Sequence, residues 1–212
     1  MSAPAPTSDP QARAETGAST APLVLASTSR YRRELLGRLG LPFEVVSPHV
    51  DETRLEGESP RAMAARLADA KARAVAALHP SAVVIGSDQT ATLDGVEVIG
   101  KPGTHARAVE QLRQASGRTL IFHTALAVVA PARGFARTVV VDTRVRFRSL
   151  TDAQIEAYLA REPAYDCAGS AKAEGLGIAL MAALEGPDPS ALVGLPLIPL
   201  TELLEAAGCP VL

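Results

Sequence analysis

The sequence predicts an α/β fold built on a mixed, elongated sheet in two lobes with a central cleft, and three features point to it. Apolar strands alternate with amphipathic helices through the first half of the chain, as where parallel strands are joined by helical crossovers. Two long alternating segments, TLIFHTALAVVA and ARTVVVDTRVRFR, then meet across the short turn PARG and read as an antiparallel hairpin. Between these halves the apolar strand AVVIGSDQ stops at Gly86, Ser87, Asp88 and Gln89, as a buried central strand does when its end opens into a cleft.

Each element has a local cause. Residues 1–20, MSAPAPTSDPQARAETGAST, hold no apolar run to offset the entropy of ordering, so a disordered tail is expected there and a single domain over residues 21–212. The strand PLVLAS gives way at Ser27 to Ser29 to a helix whose Leu35, Leu36 and Leu39 share one face. FEVVS reads as a second strand, followed by the acidic loop HVDETRLEGE. Ser59 as cap and Pro60 as first residue start a helix to about Leu78, with Met63, Leu67 and Val75 inward. After AVVIGSDQ, a hairpin turning at Asp94 and Gly95 leads to GKPG, and Thr104 caps a helix ending near Gly117. Past the long hairpin, Thr151 starts a helix to about Arg161, with Ile155, Tyr158 and Leu159 inward. The loop YDCAGSAKAEG, the apolar run LGIALMAALEG and a last helix in PLIPLTELLEAAG complete the chain.

Composition narrows the function. A formal net charge of −2 argues against broad nucleic-acid binding, so no nucleic-acid partner is expected and any phosphate site must be local. No segment is long and apolar enough to span a membrane, and the start lacks the basic and apolar regions of a secretory signal. Two cysteines, Cys167 and Cys209, are too few for a disulfide framework or a zinc site, so a cytoplasmic setting is expected. Among 21 basic side chains only Lys71, Lys101 and Lys172 are lysines. Where any surface charge will do this sequence uses Arg, so a Lys can mark a place that wants a compact charge.

Chemistry concentrates at a few points. Arg30, Arg32 and Arg33 crowd the start of the first helix, where they oppose the macrodipole instead of complementing it, and the arrangement asks for an anion such as phosphate. A solvated basic face is the alternative. Asp88, just beyond an apolar strand, can hold a divalent cation or accept a proton from water; capping a turn is its structural alternative. Asp51 and Glu52 form a second acidic pair with the oxygen ligands that hard cations take, unless they are simply a solvated loop. Lys101, between a flexible Gly and a rigid Pro, can aim its ammonium at an anion or serve a turn, and Lys71 stands out on its Ala-rich helix only by rarity. The four histidines lack metal-ligand spacing, and Ser27 and Ser29 lack the partners of a serine nucleophile.

Seven blocks, LASTSRYRRELL, VDET, RLADAKA, GSDQ, GKP, CAGSAKAEG and DPSALVGLPL, occur in the order and spacing of the Maf nucleotide pyrophosphatases, and the chain from about Leu23 onward resembles their 7-methyl-GTP pyrophosphatase branch. The resemblance implies a fold like that of the inosine triphosphatases, hydrolysis of a nucleoside triphosphate to monophosphate and pyrophosphate, a divalent cation (Mg2+ or Mn2+) and a homodimer. It implies that Ser27, Arg32, Lys71 and Lys101 grip the triphosphate, that Asp88 is the proton acceptor, and that Glu52 lies close to the metal. Tyr31, Gln89 and Glu174 match the three positions that separate the branches by substrate; the thymidine and uridine triphosphate branch typically carries Arg, Thr and Gln there.

Three positions depart from the branch: Arg30 stands in place of the common Pro, Tyr31 where Trp is frequent, and Ala171 where Phe is frequent. The last two change aromatic surface near the expected base pocket, so the activity class is better specified than the preferred base. Pyrophosphatases of other triphosphates, a metal-activated phosphatase and a nucleotide-binding regulator without turnover stand as the alternatives.

Overall fold

Three apolar cores on one continuous sheet organise the structure, a computed structural model that describes residues 21–212. The tail expected over residues 1–20 lies outside the described residues. The strands are β1 (Leu23–Ala26), β2 (Glu44–Val46), β3 (Val83–Thr92), β4 (Thr119–Ala130), β5 (Phe135–Phe147) and β6 (Met181–Glu185). They lie in the order β2-β1-β3-β4-β5-β6. β1 pairs parallel with β2 and β3, whereas β3, β4, β5 and β6 pair antiparallel, so the expected mixed sheet is present.

The helices are α1 (Arg30–Gly37), α2 (Pro60–Ala76), α3 (His105–Ala115), α4 (Asp152–Arg161) and α5 (Leu197–Ala206). Ser29, Ser59, Thr104 and Thr151 cap the first four, each side chain accepting from a main-chain N–H of the first turn. Side chains alternate across the long central strands and so divide the packing. Ile85 and Leu126 join Leu35 and Leu36 of α1 and Leu200 and Leu204 of α5 in one core, while Leu120 and Phe122 of β4 join Leu112 of α3 and Ile155 and Leu159 of α4 in another. Those two cores are the two lobes. On the other sheet face α2 packs Ala68 and Ala72 against Val84, Ala125 and Ala127.

One expectation is corrected. β3 does not end at Gly86 to Gln89; it runs on to Thr92, paired with β4 residue by residue from Val84 opposite Val129 to Thr92 opposite Ile121. The polar residues that suggested a strand end find partners while the strand continues: Ser87 Oγ donates to the Gly194 carbonyl at 2.9 Å, Asp88 Oδ1 accepts from Lys71 Nζ at 2.7 Å, and Gln89 Nε2 donates to Thr124 Oγ1 at 2.8 Å. The cleft therefore opens along the middle of a strand, in the polar interval between the cores that hold Ile85 and Ala91. The hairpin at Asp94 and Gly95 is reduced to one bridge, Ala91 to Ile99. The run LGIALMAALEG divides into a tight turn, Leu176–Leu180, and the edge strand β6.

Candidate active site

The nine residues to which the family resemblance gives roles line one cleft of about 680 Å³: Ser27, Tyr31, Arg32, Glu52, Lys71, Asp88, Gln89, Lys101 and Glu174. They come from six separate segments, and the fold explains how they meet. Gly86 is the pivot on the α2 side. A Cβ there would collide with the Ala68 carbonyl and lie 2.7 Å from the Ala72 nitrogen, so only glycine lets α2 lie this close to β3. That approach puts Lys71 over Asp88. Lys71 Nζ donates to Asp88 Oδ1 at 2.7 Å and forms an ion pair with Glu52 Oε1 at 2.7 Å, with Lys71 and Asp88 both buried. An ammonium has three donors, so one is left for a ligand.

Asp88 Oδ2 has no hydrogen-bond partner among the described residues, yet it is not sealed away from solvent. Burial pushes the carboxyl up from the usual carboxylate range, against the opposing pull of Lys71 and Arg32. Arg32 is held by its Nε, which donates to the Gly194 carbonyl at 2.9 Å, and its Nη1 reaches Ser27 Oγ at 3.5 Å. Burial lowers its pKa, with the charges of Asp88 and Glu52 working the other way. Lys101 is exposed and forms no ion pair or side-chain hydrogen bond among the described residues, which leaves its ammonium free for an anion.

The remaining residues of the cleft are held differently. Gln89 Nε2 is within hydrogen-bond reach of Thr124 Oγ1 at 2.8 Å and of the Ala191 and Leu192 carbonyls at 3.1 Å, while its amide oxygen accepts nothing among the described residues. Glu174 is exposed and unbonded among the described residues. The Gly-rich loop beside it is held instead by Glu162, whose Oε2 accepts from Gly177 N at 3.0 Å. Gly169, at φ +73° and packed where a Cβ would lie 2.9 Å from Leu120, sets the course of the same segment. Tyr31 donates its hydroxyl to Asp166 Oδ2 at 3.0 Å and accepts from Arg30 Nη2 at 2.7 Å.

Several sequence expectations are refined here. Of the three arginines, Arg32 turns inward, Arg30 is engaged with Tyr31 and Asp166, and Arg33 is exposed outside the cleft. Asp51 is a turn residue, its Oδ1 accepting from Thr53 N at 2.9 Å, and does not line the cleft. No histidine lines it either, and Ser27 meets an arginine and a main-chain N–H, not a base. Sequence reasoning passed over Asp166, Glu162, Ser87 and the Asp188 to Gly194 loop. Asp188 accepts from Ser190 N at 2.7 Å and from Ile198 N at 2.7 Å, fixing the loop whose Gly194 carbonyl anchors Arg32. The block DPSALVGLPL contains that loop, but nothing in its residue types shows that its main chain faces the cleft.

The described residues contain no group of three or more His, Cys, Asp or Glu able to hold a metal ion by themselves. Two carboxylates bridged by one ammonium do converge, however, and Mg2+ is typically bound by one or two carboxylates with substrate phosphates and water supplying the rest. Glu52 and Asp88 fit that requirement.

A family model described as Maf-like protein matches residues 22–207, nearly the whole described chain. The chain belongs to the Maf family. This Maf chain is 62% identical over 187 residues to the 7-methyl-GTP pyrophosphatase of Polaromonas sp. (strain JS666), covering 88% of this chain and 85% of that one. It is 59% identical over 190 residues to the protein of that name from Albidiferax ferrireducens and 60% identical over 190 residues to that from Nitrosococcus oceani, covering 90% of this chain and 95% of each relative. The solved structure of the Staphylococcus aureus Ham1 protein matches 60% of this chain and 72% of its own at 16% identity and a TM-score of 0.43, too distant to carry an argument about the site.

Proposed function

We propose that this Maf protein hydrolyses the α–β phosphoanhydride of 7-methyl-GTP, giving 7-methyl-GMP and pyrophosphate. One observation carries the reading: a single cleft joins three cations, Arg32, Lys71 and Lys101, to a buried carboxylate with a free oxygen, and Tyr31, Gln89 and Glu174 line the same cleft. The names of the relatives agree with it.

The chemistry follows from the parts. A water oxygen bonds to phosphorus at the α–β linkage, the bridging P–O bond breaks, and the water proton passes to the free oxygen of Asp88. The departing pyrophosphate gains negative charge, which Arg32, Lys101 and the third N–H of Lys71 neutralise. Lys71 thus holds Asp88 and a phosphate oxygen together. A divalent cation, Mg2+ or Mn2+, held by Glu52 and Asp88, would supply further charge stabilisation at the phosphates. A 7-methylated guanine bears positive charge on its ring, which favours an aromatic face, and its N1 and exocyclic N–H groups suit a carboxylate. Tyr31 is the face and Glu174 the acceptor. A homodimer acting in the cytoplasm completes the proposal; no described helix is long and apolar enough to cross a membrane.

A second reading, turnover of unmodified triphosphates, is favoured by one observation. The Arg30 guanidinium lies 4.7 Å from the Tyr31 ring centroid, on the aromatic surface that a cationic base would use. Rates on methylated and unmodified nucleoside triphosphates with Mg2+ or Mn2+, read as pyrophosphate released, decide between them. 7-Methyl-GTP is expected to be fastest, and Glu174→Gln is expected to lower its kcat/KM by about 10-fold, as when a charge-assisted bond becomes neutral. Equal proportional losses on 7-methyl-GTP, GTP and UTP would remove Glu174 from base recognition.

A further inference from the structure

We propose that Asp166 is a specificity-determining residue: its carboxylate pins Tyr31 and neutralises the cations around that ring, so that a positively charged base can stack there. The inference rests on the function proposed above and extends it to a residue outside the Tyr31, Gln89 and Glu174 set.

The geometry is compact. Arg30 Cζ is 4.7 Å and Lys172 Nζ 5.9 Å from the Tyr31 ring centroid, so two permanent positive charges share the ring. Alone they would repel a cationic base from its best stacking surface. Asp166 contacts both, Oδ2 at 3.5 Å from Arg30 Nη2 and Oδ1 at 3.2 Å from Lys172 Nζ, and Oδ2 also accepts the Tyr31 hydroxyl. One carboxylate therefore halves the positive charge at the ring and fixes the ring's edge. Burial pushes the Asp166 carboxyl up, but the bonds from Tyr31 and Lys172 outweigh it and hold the group below the usual carboxylate range, ionised at neutral pH.

Asp166 is half exposed and belongs to none of the apolar cores, so it is not needed to fill one. The hydroxyl that it anchors is a feature of Tyr; a Trp at position 31 offers no such group. The arrangement explains how Arg30 can lie over the ring without excluding a cationic base. Its charge is directed to Asp166.

The test is kcat/KM for 7-methyl-GTP and for GTP in the parent, Asp166→Asn, Asp166→Glu and Arg30→Ala. Removing one charge at this partly solvated distance should lower the ratio of 7-methyl-GTP to GTP by about five-fold in Asp166→Asn, and Asp166→Glu should recover most of it. Arg30→Ala, which deletes an exposed like charge, should move the ratio upward. A structural role alone would depress both substrates together. An unchanged ratio in Asp166→Asn, or a ratio that falls in Arg30→Ala, would overturn the inference while leaving the function intact. A parent that releases no pyrophosphate from 7-methyl-GTP would overturn the function itself, and the inference with it.

Discussion

Gly86→Ala is the change that tests how the site is assembled. A Cβ at this position meets the Ala68 carbonyl oxygen, the Ala72 nitrogen at 2.7 Å and the Ala72 Cβ at 2.9 Å. Two of these are backbone atoms of α2, which cannot rotate aside, so the helix must lift from β3 by about 1 Å. Overpacking of a filled interior costs about 1–3 kcal/mol, and a backbone obstacle puts this case near the upper end. For a chain of this length each kcal/mol lowers Tm by about 2–4 °C, so a loss of about 6–10 °C is expected. Activity should fall further than stability. Lys71 rides on α2, and its 2.7 Å bond to Asp88 is lost if the helix lifts; a displacement of that size costs about 100-fold in kcat/KM. Thermal melting followed by circular dichroism, with pyrophosphate release measured well below the variant's Tm, gives both quantities. A variant that melts with the parent and keeps the parent's activity would refute the close approach of α2 and the assembly argument built on it.

Asp88→Asn keeps the shape and removes the charge, so turnover should fall by about 100-fold or more with the fold intact, and pyrophosphate release near the parent rate would remove Asp88 from its role. Lys101 is exposed and unpaired among the described residues, so Lys101→Ala should leave Tm unchanged and weaken every triphosphate alike; altered discrimination among bases would contradict a phosphate contact. The loop that carries Glu52 is tied to α2 by Arg66, whose Nε and Nη2 donate to Glu58 at 2.6 and 2.8 Å. That bond holds the Glu58 carboxyl at about 2 against its usual 4.5, partly opposed by burial and helped by Leu55 N. A depressed carboxylate contributes stability above pH 4.5 and loses it as pH falls toward 2, so Glu58→Gln should cost about 1–2 kcal/mol at pH 7 and progressively less below pH 4.5. Urea unfolding at both ends of that range checks the sign, and a gap that does not narrow in acid would contradict it.

Much of this architecture is readable in the sequence because its signals are local. Ser59 before Pro60 gives the start of α2, Thr151 gives the start of α4, and the alternation on either side of PARG gives β4 and β5. The course of β3 is not local. Ser87, Asp88 and Gln89 look like a strand ending because their partners, Gly194, Lys71 and Thr124, are remote in sequence. Lys71 was visible through its rarity and through the block RLADAKA, but a lysine on an Ala-rich helix gives no local sign that Gly86 will press it against a carboxylate. Asp166 and Glu162 left no trace at all, because each acts through a segment that is folded back by Gly169.

The account stands on which bond is cut. Phosphorus NMR of 7-methyl-GTP incubated with the purified protein and Mg2+ or Mn2+ reports every phosphorus-containing product directly. Cleavage at the α–β linkage gives one monophosphate resonance and one pyrophosphate resonance growing together at equal molar rates. Orthophosphate and a nucleoside diphosphate in their place would contradict the central claim.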